Sequence, residues 1–206
     1  MRDRFVVAVV LCRLGERFLT GQTALRAFDL KSAAAKGTYP FPGGGLCNDI
    51  AVAADGTAYA TDTTGGRILR LKPGAAALDV WATDPMTIGF VDGITLLNDG
   101  AVYVNTFTTG RLVRVPVGRD GSAGPMVSLE TSQPLVRPDG LRSTGANTMI
   151  QAEGQGRVTE ITINGNRAEI RVLKEGLTGA TAVTRVGGTL YALVERLKAT
   201  PVPYAR

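Results

Sequence analysis

An all-β fold of repeated four-stranded antiparallel modules is predicted by three features of this 206-residue chain. Glycine is abundant, at 26 residues, and most glycines fall between short apolar runs where strands must reverse. A phrase recurs: Asp55-Gly56-Thr57-Ala58-Tyr59-Ala60-Thr61 and Gly66-Arg67-Ile68-Leu69-Arg70-Leu71 return as Asp99-Gly100-Ala101-Val102-Tyr103-Val104-Asn105 and Gly110-Arg111-Leu112-Val113-Arg114-Val115. A looser third copy runs from Met149 to Ile161, and a fourth begins at Gly188. Short strands repeating every 40–45 residues or so read as the blades of a β-propeller. Such a fold places its site around the central channel.

The elements follow in order. Leu25–Leu30 and Thr38–Phe41 read as outer strands of a preceding blade, with residues 30–36 as their connection. The first whole blade spans residues 46–82: Ile50–Ala53 innermost, a turn at Asp55-Gly56, then Thr57–Thr61, Arg67–Lys72 and Leu78–Trp81. Residues 91–130 repeat the plan with Ile94–Leu97, Ala101–Asn105, Leu112–Val117 and Met126–Leu129. Residues 138–175 repeat it again, with an Asn164-Gly165 hairpin between Val158–Ile163 and Ala168–Leu173. A fourth repeat starts at Thr181 and stops after two strands. The expectation is one domain over residues 1–206, with three complete and two partial blades, read as part of a six-bladed ring. The alternative is a four-bladed ring in which residues 25–41 complete the unit begun at Thr181.

Composition excludes several function classes. The formal charge is +5, but Lys and Arg are dispersed and aromatics are few (6 Phe, 5 Tyr, 1 Trp), so no basic stripe with stacking rings points to nucleic acid. Residues 5–12 read as a strand rather than a signal segment, and no run approaches the roughly 20 apolar residues of a membrane span. Cys12 and Cys47 make no disulfide framework. The compartment expected is cytoplasmic, with secretion or a periplasmic location left open, and the oligomeric state is not indicated. Histidine is absent, which removes every His-based triad and His metal site. Hydrolytic chemistry must then rest on carboxylates, amides or a hard cation. The serines lie in turns or outer strands without a nucleophile-elbow pattern.

Aligned on their tyrosines, the blades bring Asn48, Asp92 and Asp139 to one place, just before each innermost strand. Innermost strands converge on the axis, so these oxygens are expected to meet at one mouth of the channel as a site for Ca²⁺, Mg²⁺ or Mn²⁺. The competing reading is that Asn-Asp and Asp-Gly only shape turns before strands. A second set ends the second strands: Asp62, Asn105, Glu153 and Glu195. Of these, Asp62 reads as a turn residue, and Glu153 is the candidate for a substrate contact.

Asn48-Asp49-Ile50, the run from Ala54 to Asp62, and Pro138-Asp139-Gly140-Leu141 resemble the senescence marker protein/gluconolactonase/luciferin-regenerating-enzyme-like propellers over about residues 20–195. That resemblance implies six blades around one divalent cation held by a Glu, two Asn and an Asp, and hydrolysis of lactones or related esters. Asn48 matches the Asn of the Asn-Asp motif, and Asp139 the Asp of Pro-Asp-Gly. Asp92 stands where the family has its second Asn, which adds negative charge. Nothing matches the family's glutamate ligand, since Glu16 lies in Gly15-Glu16-Arg17 without the usual Gly-Pro. This gap and the length lead us to expect a truncated member.

The function expected is therefore divalent-metal-dependent hydrolysis of a lactone or sugar-acid-like ester, with Asp139 or Asp92 taking the proton from water. An inactive truncated relative is a variant of this reading. The rival is a non-catalytic propeller scaffold for protein or small-ligand binding.

Overall fold

A computed structural model describes residues 23–29 and 31–194, together with the backbone of 198–202. The expectations for residues 5–12, Cys12, Glu16 and Glu195 fall outside this range. Strands β3 (Cys47–Val52), β4 (Ala58–Asp62), β5 (Arg67–Leu71) and β6 (Asp79–Thr83) make an antiparallel four-stranded sheet, the first blade. The second holds β7 (Val91–Leu96), β8 (Val102–Thr106), β9 (Leu112–Val115) and β10 (Val127–Ser128). The third holds β12 (Pro138–Ser143), β13 (Thr148–Glu153), β14 (Arg157–Asn164) and β15 (Arg167–Lys174).

The sheets depart from the sequence reading in four places. The third strand of the second blade ends at Val115, because Pro116 brings no N–H to the ladder, and β10 shrinks to two residues. A short β11 (Glu130–Thr131) leaves the second blade's outer edge and pairs parallel with β15, so the third sheet has five strands. The fourth repeat continues past two strands: β16 (Ala182–Val186), β17 (Thr189–Val194) and β18 (Lys198–Val202) form one sheet. At the other end, β1 (Ala24–Phe28) and β2 (Ala35–Pro40) form a separate two-stranded sheet, with β2 beginning inside the expected connection. Among the described residues this hairpin shares no ladder with the fourth blade, so the four-bladed closure is not formed.

The core lies between blades, because alternate residues of each central strand face opposite neighbours. On β4, Ala58 and Ala60 pack towards the hairpin with Leu25, Phe41 and Leu69, while Tyr59 packs towards the second blade with Trp81, Ile94 and Val102. Tyr59 and Trp81 meet edge-to-face with centroids 4.8 Å apart. On β8, Val102 and Val104 face backwards and Tyr103 faces the third blade with Leu141 and Met149. Each fully buried aliphatic side chain stabilises the stack by roughly 1.5–3 kcal/mol.

At the axis β3 lies against β7, β7 against β12 and β12 against β16. This approach explains the Asp-Gly pairs that open β7 and β12. A Cβ on Gly93 would overlap the Asp139 carbonyl and lie 2.9 Å from Leu141 Cβ; one on Gly140 would lie 2.9 Å from Ala182 Cα and 3.0 Å from the Thr181 carbonyl. Gly93→Ala should therefore lower stability by roughly 2–3 kcal/mol. Gly165→Ala, in open space with φ +62°, should cost only about 1 kcal/mol. Urea unfolding of the two variants checks the difference.

Candidate active site at the channel mouth

The strand registers put Asn48, Asp92 and Asp139 at equivalent places, directly after Leu46-Cys47, Phe90-Val91 and Arg137-Pro138 and two before the ladder pairs Ile50–Ala60, Ile94–Val104 and Leu141–Gln151. Thr181 occupies this place in the fourth blade, two before the Val183–Ala192 pair. Polar side chains from the second strands fix the geometry. Thr61 Oγ1 accepts from the Asp49 N–H at 2.9 Å and donates to the Asp92 carbonyl of the next blade at 2.6 Å. Asn105 repeats the device one blade on: its Oδ1 accepts from the Gly93 N–H at 2.8 Å and its Nδ2 donates to the Asp139 carbonyl at 2.7 Å. Both side chains are fully buried, so each fastens neighbouring blades in a dry environment.

The three ring side chains are brought together. Asn48 is exposed and donates to Thr63 Oγ1, which in turn donates to the Val91 carbonyl. Asp92 is 4% exposed, and its Oδ1 takes no hydrogen bond. Asp139 is half-buried and faces Asp92 closely enough for a hydrogen bond between the two carboxyl groups. Desolvation, then the charge of Asp139 and the bond between them, lifts Asp92 to about 8, while the Asn48 amide pulls it down. Asp139 is raised to about 6, chiefly by desolvation, with the bond to Asp92 and the Gly140 N–H opposing. The pair thus holds one proton between two acids near neutral pH.

Asp49 and Arg142 are site residues that the sequence reading missed. Asp49 stands where the next two blades carry Gly93 and Gly140, and its carboxylate crosses the channel to the third blade. Arg142 Nη1 and Nη2 donate to its Oδ2 and Oδ1 at 2.6 and 2.8 Å, and the Ile94 N–H donates to Oδ2 at 3.1 Å. The available signal was the broken Asp-Gly pattern at Asn48-Asp49, with an Arg at a strand position that holds Ala51 and Thr95 in the other blades.

The second-strand set divides. Asp62 holds the turn after β4, as expected, and is also fully buried: it accepts from Gly65 N–H and Thr64 Oγ1 within that turn, from Arg67 Nε at 2.7 Å and from the Leu46 N–H. Glu153 is its counterpart in the third blade and is not placed for the expected substrate contact. Its Oε2 accepts from Arg157 Nη2 at 2.7 Å and from the Val136 N–H at 2.8 Å, its Oε1 faces Thr159 Oγ1, and the side chain has no exposed surface. In the second blade Thr106 takes this place, and Arg111 turns to the Met86 carbonyl instead.

Among the described residues, no group of three or more His, Cys, Asp or Glu side chains is arranged to hold a metal ion. The donor set here is two carboxylates and one amide. The orphaned Oδ1 of Asp92, and the crowding of two acids beside Asn48, fit a hard, oxygen-seeking cation. No helix among the described residues is long and apolar enough to cross a membrane.

Two measurements follow from this geometry. Glu153→Ala should cost about 2–3 kcal/mol in urea unfolding, because Arg157 and the Val136 N–H lose their acceptor in a largely dry site. Folded-state proton affinities above the unfolded value mean that the native state binds more protons between about pH 4 and 8. The acid pair therefore favours folding at the acid end and loses that contribution as pH rises. Asp92→Asn should raise the melting temperature of chelator-treated protein more at pH 8 than at pH 5.

No family model matches the chain. No curated protein matches it either. Solved structures do. Virginiamycin B lyase from Staphylococcus aureus superposes with a TM-score of 0.68 at 16% identity, covering 88% of this chain and 59% of the lyase. A gluconolactonase from Xanthomonas campestris gives 0.62 at 19% identity, covering 87% and 65%. A protein provisionally assigned as a gluconolactonase gives 0.69 at 18% identity, covering 90% and 70%. The chain spans about three-fifths of the lyase's length. At these identities the likeness speaks for architecture, and the chain has the β-propeller fold that gluconolactonases and virginiamycin B lyase also adopt.

Proposed function

We propose that this protein is a propeller hydrolase that opens a lactone or related ester at the channel mouth, with divalent-cation dependence. The observation that carries the reading is the facing pair Asp92 and Asp139, one buried with an unpartnered oxygen, both with raised proton affinity. Asn48, Asp92 and Asp139 are the residues that would hold the cation. When bound, it would supply Lewis-acid polarisation of the acyl oxygen.

The chain's own groups account for the proton. Asp139, the more open of the pair, accepts a proton from the attacking water as the water oxygen bonds to the acyl carbon. The acyl C–O bond then breaks and the leaving alkoxide takes that proton back, so water is added and a hydroxy acid released. Asp49 and Arg142 keep the floor of the site in place: Arg142 neutralises Asp49, which would otherwise repel a third negative charge. The staples Thr61 and Asn105 hold the backbone of Asp92 and Asp139.

Hydrolysis is favoured here over the lyase chemistry of the virginiamycin relative. A histidine-to-alanine variant of that enzyme is described as catalytically inactive, and this chain contains no histidine. The test is thermal unfolding with Ca²⁺, Mg²⁺ or Mn²⁺, followed by a lactone panel. A cation at a hundredfold excess over its Kd should stabilise the fold by about 2.7 kcal/mol, and Asp139→Ala should abolish both that gain and turnover. A well-folded sample that no divalent ion stabilises and that opens no lactone is a scaffold instead.

A further inference from the structure

Each of the first three blades presents two rim positions above the acid ring, tied by a backbone hydrogen bond. The residue after the second strand donates to the residue two before the ring position: Thr63 to Leu46 at 2.9 Å, Phe107 to Phe90 at 3.0 Å and Gly154 to Arg137 at 2.8 Å. The rim thus carries Leu46, Phe90, Arg137 and, by the same count, Gly179. The second and third blades fill it unusually. Phe90 has φ +57° and Arg137 φ +53°, a left-handed conformation that bulky L residues rarely adopt. Gly179 in the fourth blade has φ +76°, so glycine serves the same turn there without strain. Two large side chains are kept where the backbone favours none, and strain of this kind gathers at ligand sites.

Their surroundings say what they face. Phe90 is 57% exposed beside the channel mouth. The Arg137 guanidinium carbon lies 4.8 Å from the Phe107 ring centroid. Among the described residues no carboxylate pairs with Arg137 within 4.0 Å; Arg111 and Arg114 also lack one, but they donate instead to the Met86 carbonyl and to the Gly165 carbonyl and Asn166 Oδ1. The charge of Arg137 nonetheless reaches Asp139. A planar cation stacked on one ring, with a second ring exposed alongside, fits an anion that carries an apolar or aromatic face.

We infer that Arg137, Phe107 and Phe90 form a recognition wall for small carboxylates bearing an aryl or similar apolar group, seated at the rim above the acid pair. Arg137 takes the carboxylate through its free guanidinium donors, and the rings take the apolar face. The inference names a substrate class for the proposed hydrolase, but the binding it describes needs neither cation nor turnover.

The test titrates the intact chain with phenylacetate and, as a neutral isostere, phenylacetamide, followed by ¹H–¹⁵N spectra. Phenylacetate should shift the amides of Phe90, Phe107, Arg137 and Asp139, and bind at least tenfold more tightly than the amide. Arg137→Gln should bring the acid down to the amide's level. Arg137→Gly should do the same with a melting temperature unchanged or raised, which separates lost recognition from lost folding. Equal binding of acid and amide, no binding of phenylacetate, or an Arg137→Gln variant that binds it unchanged overturns the wall. Lactone turnover in a protein that fails this titration leaves the hydrolase standing without it; phenylacetate binding without turnover leaves the wall standing alone.

Discussion

Innermost strands of neighbouring blades run so close that no Cβ fits between them at Gly93 and Gly140, and the remaining geometry of the site follows from that approach. The carbonyls of Asp92 and Asp139 are pressed against the preceding blade, where water cannot satisfy them, so each needs a protein donor. Thr61 and Asn105 supply it, and because each also accepts from its own blade, one side chain satisfies two backbone groups and sets the spacing. With the backbone held this way, the side chains of Asp92 and Asp139 have one direction left, towards the axis and towards each other.

Two acids facing each other in a dry channel are electrostatically unfavourable, and the first blade adds a third in Asp49. What makes the arrangement tolerable is that Asp49 is fully paired: Arg142 meets it with two nitrogens, and the Ile94 N–H adds a third donor. Asp92 has no comparable compensation. Its nearest help is the Asn48 amide, and its Oδ1 remains without a donor. The channel therefore contains one neutralised carboxylate and one unneutralised pair, stacked along the axis. The first is a fixed part of the architecture; the second is open to a proton, a cation or a cationic ligand group.

Those parts of the molecule that repeat were readable from the sequence. The tyrosine-centred phrase located three blades and placed Asn48, Asp92 and Asp139 in register, because a short strand's alternation and a blade's period leave few other alignments. What does not repeat was hidden. Asp49 and Arg142 are 93 positions apart and occur once each in the pattern, so no periodic signal joins them. Grouping Asp62, Asn105 and Glu153 as one rim set failed by a single residue. Asp62 pairs with Arg67 and Glu153 with Arg157, whereas Asn105 pairs with Leu112, one step further into the blade. That step reverses the face: Asn105 points forward as a staple, and the two acids point back into arginine pairs. The fifth strand β11 was equally unreadable, since its parallel pairing is set by where the chain leaves β10 and not by its two residues.

Departures from regularity gather at one end of the channel. Elsewhere the partners are closer to hand: Arg70 and Arg171 have carboxylates, Arg114 donates to the Gly165 carbonyl and Asn166 Oδ1, and the left-handed turns at Gly56, Gly100 and Gly165 use glycine. At the mouth, by contrast, a buried acid lacks a donor, and two bulky residues hold positive φ. Nearby, the Nε2 of Gln151 is buried without a partner behind Asn105. None of these helps the fold, and each has an inexpensive alternative already used in a sister blade: Asn48 in place of Asp92, Gly179 in place of Arg137, Ala60 or Val104 in place of Gln151. A sequence that settles such choices favourably in one blade and unfavourably in the next is answering to something other than stability. The face where those choices converge is the one that carries the acid pair.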